Sequence, residues 1–235
     1  MLNSLVLKIK RRENAFYAFL YRAAKTVLAF NMPTIRLIHL PLYHLDRWLK
    51  ETARHLLHVC WSIPLFKARC AKVGRNLRLP NGIPYLEGSN LKIVLGDHVT
   101  IGRSTIGASK VFDEPVLTIG DNSTIGYGAL ISVTREVTIG ANCLIAPGCQ
   151  IMDSDDHPVH PLKRLRREPV DRTAVLPVRI GNNVWIGSSC VILKGVTIGD
   201  NAVIATHSVI TKDVEGNCVY AGYPARPTLR NIDRE

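Results

Sequence analysis

The sequence predicts a mainly β chain: a left-handed parallel β-helix built on six-residue rungs, with an N-terminal α-helical segment and a protruding loop. Three observations carry this. An aliphatic residue recurs every six residues from position 93 onward, the repeat breaks for a long polar stretch that opens with DSDDHPVHP at 153–161, and the positive charge lies ahead of the repeat. Residues 1–72 hold 13 Lys or Arg against 3 Asp or Glu, while the rest of the chain holds 17 against 16. Two parts are therefore expected, a basic amphipathic helical segment over 1–72 and a β-helix domain over 73–235. Within the second, 152–177 reads as an inserted loop and 216–235 as a C-terminal tail. With 46% hydrophobic and 21% charged residues, the chain has the composition of a folded protein rather than a disordered one.

Over 1–72, Leu, Ile, Phe, Tyr and Trp alternate with Arg, Lys and His at roughly helical spacing. Pro33, Pro41 and Pro64 are expected to divide this stretch into two or three helices. No apolar run approaches the ~18 residues that cross a bilayer. A basic helix with aromatic residues on its apolar side suits an anionic membrane surface. A helical cap on the main domain or on a neighbouring subunit, its charges simply solvated, fits the same pattern. Nucleic acid is not expected, because no binding motif accompanies the charge.

The hexads read LGDHVT and IGRSTI from residue 95, then IGDNST, IGYGAL and ISVTRE from 119, and IGANCL, IAPGCQ and IMDSDD from 139. After the long break come IGNNVW, IGSSCV, ILKGVT, IGDNAV, IATHSV and ITKDVE from 180. A period of six matches neither the 3.6 residues of a helix nor the simple alternation of a strand. Three short strands joined by turns satisfy it, so three hexads complete one coil of about 18 residues whose leading Ile or Leu stacks on its equivalent in the next. Small residues follow where the chain bends, and Asn or Asp in GDN, GNN and GAN suits left-handed turn positions. The left-handed coil departs from the right-handed crossover rule.

The same register places Cys143, Cys149 and Cys190 inside the coil as small residues. None of the six cysteines forms a CxxC pair and no secretory leader is recognisable, so reduced thiols and a cytoplasmic setting are expected. DSDDHPVHP brings Asp153, Asp155, Asp156, His157 and His160 together, but the coil supplies no further histidines at a metal-ligand spacing. No metal is therefore expected.

Residues 93 to about 230 resemble the hexapeptide-repeat acyltransferases. The stretch RIGNNVWIGSSCVILKGVTIGDNAVIATHSVITKDVEGNCVYAGYPAR, 179–226, is similar to the maltose, galactoside and nodulation-sugar O-acetyltransferases and their polysaccharide-modifying relatives. The resemblance implies a homotrimer, with acetyl-CoA as acyl donor in a groove between adjacent β-helices. It also implies that the first histidine of HPVH, His157, is the catalytic general base. A sugar hydroxyl needs such a base at neutral pH, and neutral imidazole, with an ordinary pKa near ~6.5, suits the task. A carboxylate from Asp153, Asp155 or Asp156 would orient the ring. His160 is structural or contacts the acceptor.

For CoA, the resemblance points to Ser188 and Thr206 beside the donor, Thr211 and Lys212 near its phosphates, and Arg226 at the nucleotide end. Lys and Arg are natural phosphate partners in any case. Trp185 either walls the thioester pocket or packs under the loop. His207 stands where these enzymes commonly have Gly, and Gly126 and Thr134 replace their acceptor-binding Asn and Asp. Together with the basic loop KRLRREPVDR, 163–172, this favours an anionic or membrane-linked glycan over a free disaccharide.

The expected function is O-acetylation of a bacterial surface polysaccharide (capsule, lipopolysaccharide O-antigen or exopolysaccharide) or its lipid-linked precursor, at the inner face of the plasma membrane. N-acylation of an amino sugar or nucleotide sugar would use the same base and groove. A non-enzymatic alternative is a trimeric membrane-associated scaffold. Serine acetyltransferases share the coil, but their GGTGK signature is absent.

Overall fold

A computed structural model describes residues 2–80 and 82–232. The chain divides into two compact units, 1–52 and 53–235. The first holds helices α1 (Leu2–Arg11) and α2 (Ala15–Ala29) and most of α3 (Arg36–Leu57). Arg12, at φ 53°, ends α1, and the Asn14 side chain accepts from the Tyr17 backbone N–H at 2.9 Å to cap α2. Pro33 lies in the break before α3, as expected, whereas Pro41 does not break the helix. It sits in the second turn, where only one i→i−4 bond, to Leu37, is lost. Pro64 does not end the helical run either. A π-helical turn at His58–Ser62 precedes it, widening the backbone ahead of the ring, and α4 (Ile63–Arg69) follows directly.

α4 belongs with the coil. Phe66 is 1% exposed within the coil's core, and Arg69 donates to the carbonyls of Leu91 (2.9 Å), Gly88 and Ser89 (3.2 Å each). A solenoid needs its open end covered, and this helix supplies apolar contact and hydrogen bonds there.

From Lys72 the chain winds into a parallel β-solenoid of about seven turns. Its three sheets hold six, seven and six strands. The leading aliphatics stack in register as Leu95–Ile119–Ile139–Ile180–Ile198, Ile101–Ile125–Ile145–Ile186–Ile204 and Ile106–Ile131–Ile151–Ile192–Ile210. Burying each such side chain is worth about 1.5–3 kcal/mol, so the rows supply most of the coil's driving force. One side is irregular: the inward residue after Ile101 is Ile106, five residues on, and the insertion at 109–115 restores the phase.

The corners are held by polar ladders. Asn122, Asn142, Asn183, Asn201 and Asn217 all take φ between 53° and 59°, a region open to asparagine. Asn183 donates to Asn201 at 2.8 Å and Asn201 to Asn217 at 2.7 Å, so the amides bond coil to coil. Cys143, Cys149 and Cys190 are fully buried, and their thiols donate to backbone carbonyls of neighbouring coils at 3.0–3.1 Å. The expected C-terminal tail contains an antiparallel hairpin, Cys218–Gly222 with Ala225–Arg230, that extends the seven-stranded sheet.

Candidate active site

The loop at 153–177 leaves the coil after Met152 and carries a short helix α5 (Pro161–Leu165) and a 3-10 turn at Arg172–Ala174. Its root is Asp153, which is fully buried. The carboxylate accepts backbone N–H bonds from Thr134 (2.7 Å), Arg135 (2.6 Å) and Glu136 (2.7 Å). Burial pushes the Asp153 carboxyl above the ordinary carboxylate range, opposed by those three donors. Thr134 is buried beside it, with its hydroxyl 2.7 Å from that of Ser154.

The other two aspartates also have partners. Asp156 accepts from the hydroxyls of Ser132 (3.0 Å) and Ser154 (3.1 Å), and Asp155 pairs with Lys194 of the next coil at 2.5 Å. The Asp155 carbonyl accepts the His157 backbone N–H at 2.6 Å, so this ion pair fixes the chain just ahead of the histidine. None of the three carboxylates accepts a hydrogen bond from the His157 ring.

His157 is exposed and lines a pocket of about 540 Å³, a volume suited to a sugar-sized ligand. His160, Asp155, Lys163, Glu168 and Arg172 share the lining. Arg164 braces the segment by donating to the carbonyls of Pro158 (3.2 Å) and Val159 (2.9 Å). Arg172 joins the loop to the insertion at 109–115: its Nε donates to the Val111 carbonyl at 3.0 Å, and its guanidinium lies 5.1 Å from the centre of the Phe112 ring. Sequence reasoning missed Glu168 and Arg172, because only the folded loop brings them to His157. The arrangement sets a proton acceptor, carboxylates and cations around an open cavity.

A second pocket, of about 360 Å³, brings together Thr211, Lys212 and Arg226, and adds Arg230, which the sequence pattern does not single out. Arg230 is held by Glu215 at 2.7 Å. The other residues expected at the donor, Trp185, Ser188 and Thr206, do not line this pocket. Trp185 projects from the seven-stranded sheet, 54% exposed, in register with Leu144 and Val203. Ser188 and Thr206 occupy adjacent turns, where the His207 N–H donates to the Ser188 carbonyl at 2.9 Å. His207 has φ 57°, the conformation for which glycine is the least strained choice.

Gly187 lets these turns approach, since a Cβ there would lie 2.6 Å from the Thr206 nitrogen. Gly187→Ala is expected to destabilise the coil by about 1–3 kcal/mol. Thermal denaturation reads this; an unchanged midpoint would mean that the two turns can separate freely.

Among the described residues, no group of three or more His, Cys, Asp and Glu is placed to hold a metal ion.

Residues 177–212 match the family model described as bacterial transferase hexapeptide (six repeats), and residues 116–151 match that of the hexapeptide repeat of succinyl-transferase. The chain is 40% identical over 139 residues to galactoside O-acetyltransferase of Escherichia coli (strain K12), covering 56% of this chain and 66% of that protein. It spans 66%, 55% and 45% of the lengths of the first curated relatives it matches. A structure of galactoside acetyltransferase in complex with coenzyme A superposes with a TM-score of 0.51 at 30% identity, covering 87% of this chain and 94% of that one. AntD, an N-acyltransferase from Bacillus cereus seen with dTDP and 3-hydroxybutyryl-CoA, has a TM-score of 0.54 at 18% identity over 71% of this chain and 86% of its own, a likeness of fold. By its rungs, its interrupting loop and these matches, the chain belongs to the hexapeptide-repeat acyltransferase family.

Proposed function

We propose that the protein is an acetyl-CoA-dependent O-acetyltransferase acting on a sugar hydroxyl of a bacterial surface polysaccharide or its lipid-linked precursor. The observation that carries this is His157, exposed in a sugar-sized pocket on a loop anchored to the coil by Asp153 and Asp155. In this reading the imidazole takes the proton of the acceptor hydroxyl as its oxygen attacks the thioester carbonyl. The tetrahedral intermediate collapses, the C–S bond breaks, and the proton passes from imidazolium to the leaving CoA sulfur. Each aspartate of the motif has another partner, and the pocket also holds Glu168, which pairs with Arg166 at 3.8 Å, and Asp171, which accepts from Thr173; their negative charge favours imidazolium.

Lys212, Arg226 and Arg230 supply cations for the CoA phosphates, and the set at Trp185, Ser188 and Thr206 lines the donor path. A homotrimer whose CoA groove lies between the β-helices of neighbouring subunits is part of the same reading, and light scattering tests that state. Lys212→Ala and Arg226→Ala are each expected to raise KM for acetyl-CoA about tenfold with kcat nearly unchanged. A fall in kcat at constant KM would remove these residues from donor binding.

Peripheral association with the inner membrane face through residues 1–72 is part of the same reading, because a lipid-linked acceptor is presented there. N-acylation of an amino sugar uses the same base. The 40% identity to a galactoside O-acetyltransferase favours oxygen as the acceptor atom. The test incubates the chain with labelled acetyl-CoA and polymeric, lipid-linked and amino-sugar acceptors, then treats the product with hydroxylamine. Release of label marks an ester and supports the proposal; resistant label marks an amide and favours N-acylation. Absence of both transfer and CoA binding would leave the scaffold reading.

A further inference from the structure

We infer that α3 lies in the plane of a bilayer with anionic headgroups, its Leu- and Trp-bearing sector at the acyl boundary and its Arg and Lys toward the headgroups. The inference deepens the membrane part of the proposed function and does not depend on the transfer chemistry.

At about 100° per residue, Leu37, Ile38, Leu45, Trp48, Leu49 and Leu56 fall within one sector of about 120°. All six are exposed, from 51% at Leu45 to 87% at Leu37, and α3 buries no residue. Arg36, Arg47, Lys50 and Arg54 occupy the opposite face. The helix has two acids, and both are engaged within it: Asp46 pairs with Lys50 at 2.7 Å and Glu51 with Arg47 at 2.5 Å. A wide apolar sector opposite a basic face, on a helix whose apolar side chains are balanced by charged and polar ones, is the pattern of helices that lie in the interface. No described helix is long and apolar enough to span the membrane.

Charge selects this occupant over a second copy of the chain. Residues 1–72 carry 13 Lys or Arg against 3 Asp or Glu, so two copies would repel, whereas anionic headgroups attract. The other helices carry the same features: α1 ends in Lys8, Lys10 and Arg11, and Phe16 and Phe19 of α2 are 64% and 61% exposed. Ile38, Leu42, Leu45, Leu49 and Leu56 also follow a seven-residue spacing, which makes a helical seam between copies the rival outcome.

Flotation of the full chain with vesicles of phosphatidylcholine, alone or mixed with phosphatidylglycerol, tests the inference. The protein is expected to float with the anionic vesicles at least about tenfold more than with neutral ones, and less in high salt. Replacing Arg47, Lys50 and Arg54 by Gln should weaken binding roughly fivefold per charge removed. Leu45→Asp with Leu49→Asp should abolish flotation at unchanged subunit number. If the aspartates unwind α3, seen by circular dichroism, Leu45→Ala with Leu49→Ala should give a partial loss. Equal flotation with both vesicle types, or binding that survives the leucine changes, overturns the inference. A drop in subunit number on the leucine changes, without lipid binding by the wild type, assigns the face to a second copy instead.

Discussion

Asp153→Ala is expected to destabilise the protein by about 3–6 kcal/mol, as three N–H groups, one buried and two part-buried, lose their acceptor at ~1–2 kcal/mol each. For a chain of this size that lowers the melting temperature by roughly 6–24 °C. The carboxylate accepts from Thr134, Arg135 and Glu136, so its loss releases the strand ahead of Glu136 as well as the root of the His157 loop. Asp153→Asn keeps one acceptor oxygen but turns an amide group toward the donors, and an intermediate loss is expected. The pH dependence follows from the raised carboxyl. A folded-state pKa above the unfolded value means that the folded chain holds the proton more tightly. The resulting stability is present below the ordinary carboxylate range and lost as pH rises through the folded value. Denaturant titrations from acid to neutral pH should show that slope in the wild type and lack it in Asp153→Asn. A melting temperature within a degree or two of wild type for Asp153→Ala would contradict this anchoring role.

The coil is legible in the sequence because its rule is local and repeated. An inward aliphatic at every sixth residue, with a small residue behind it, leaves little choice of architecture, and it also places Cys143, Cys149 and Cys190 as core residues rather than ligands. His157 stands out because the loop that carries it interrupts that rule. Other features depend on contacts distant in sequence. Asp153, Asp155 and Asp156 are equivalent on paper, yet one meets three backbone donors 17–19 residues away, one meets Lys194, and one meets two serines. Glu168 reaches the pocket only by the course of the loop, and Arg172 is set by Phe112, from an insertion 60 residues earlier. Pro41 misleads because a proline near a helix start removes one bond without ending the helix. Phe66 lies among basic amphipathic residues in sequence, so nothing local distinguishes its place in the coil's core from the exposed positions before it.

His157→Ala and His157→Gln are each expected to lower kcat for acetyl transfer by about 10²–10⁴-fold, the range lost with a general base. Both should leave the melting temperature near that of wild type, because the ring is exposed and makes no hydrogen bond to the carboxylates that anchor its loop. The affinity for acetyl-CoA should also persist, since the phosphate-binding cations line a different pocket. The most direct test is the initial rate of acetyl-ester formation on a glycan acceptor from labelled acetyl-CoA, compared between wild type and His157→Gln at saturating donor. At least a hundredfold loss with unchanged donor affinity is the expected result, and transfer by the variant at the wild-type rate would contradict the assignment of His157 as the base.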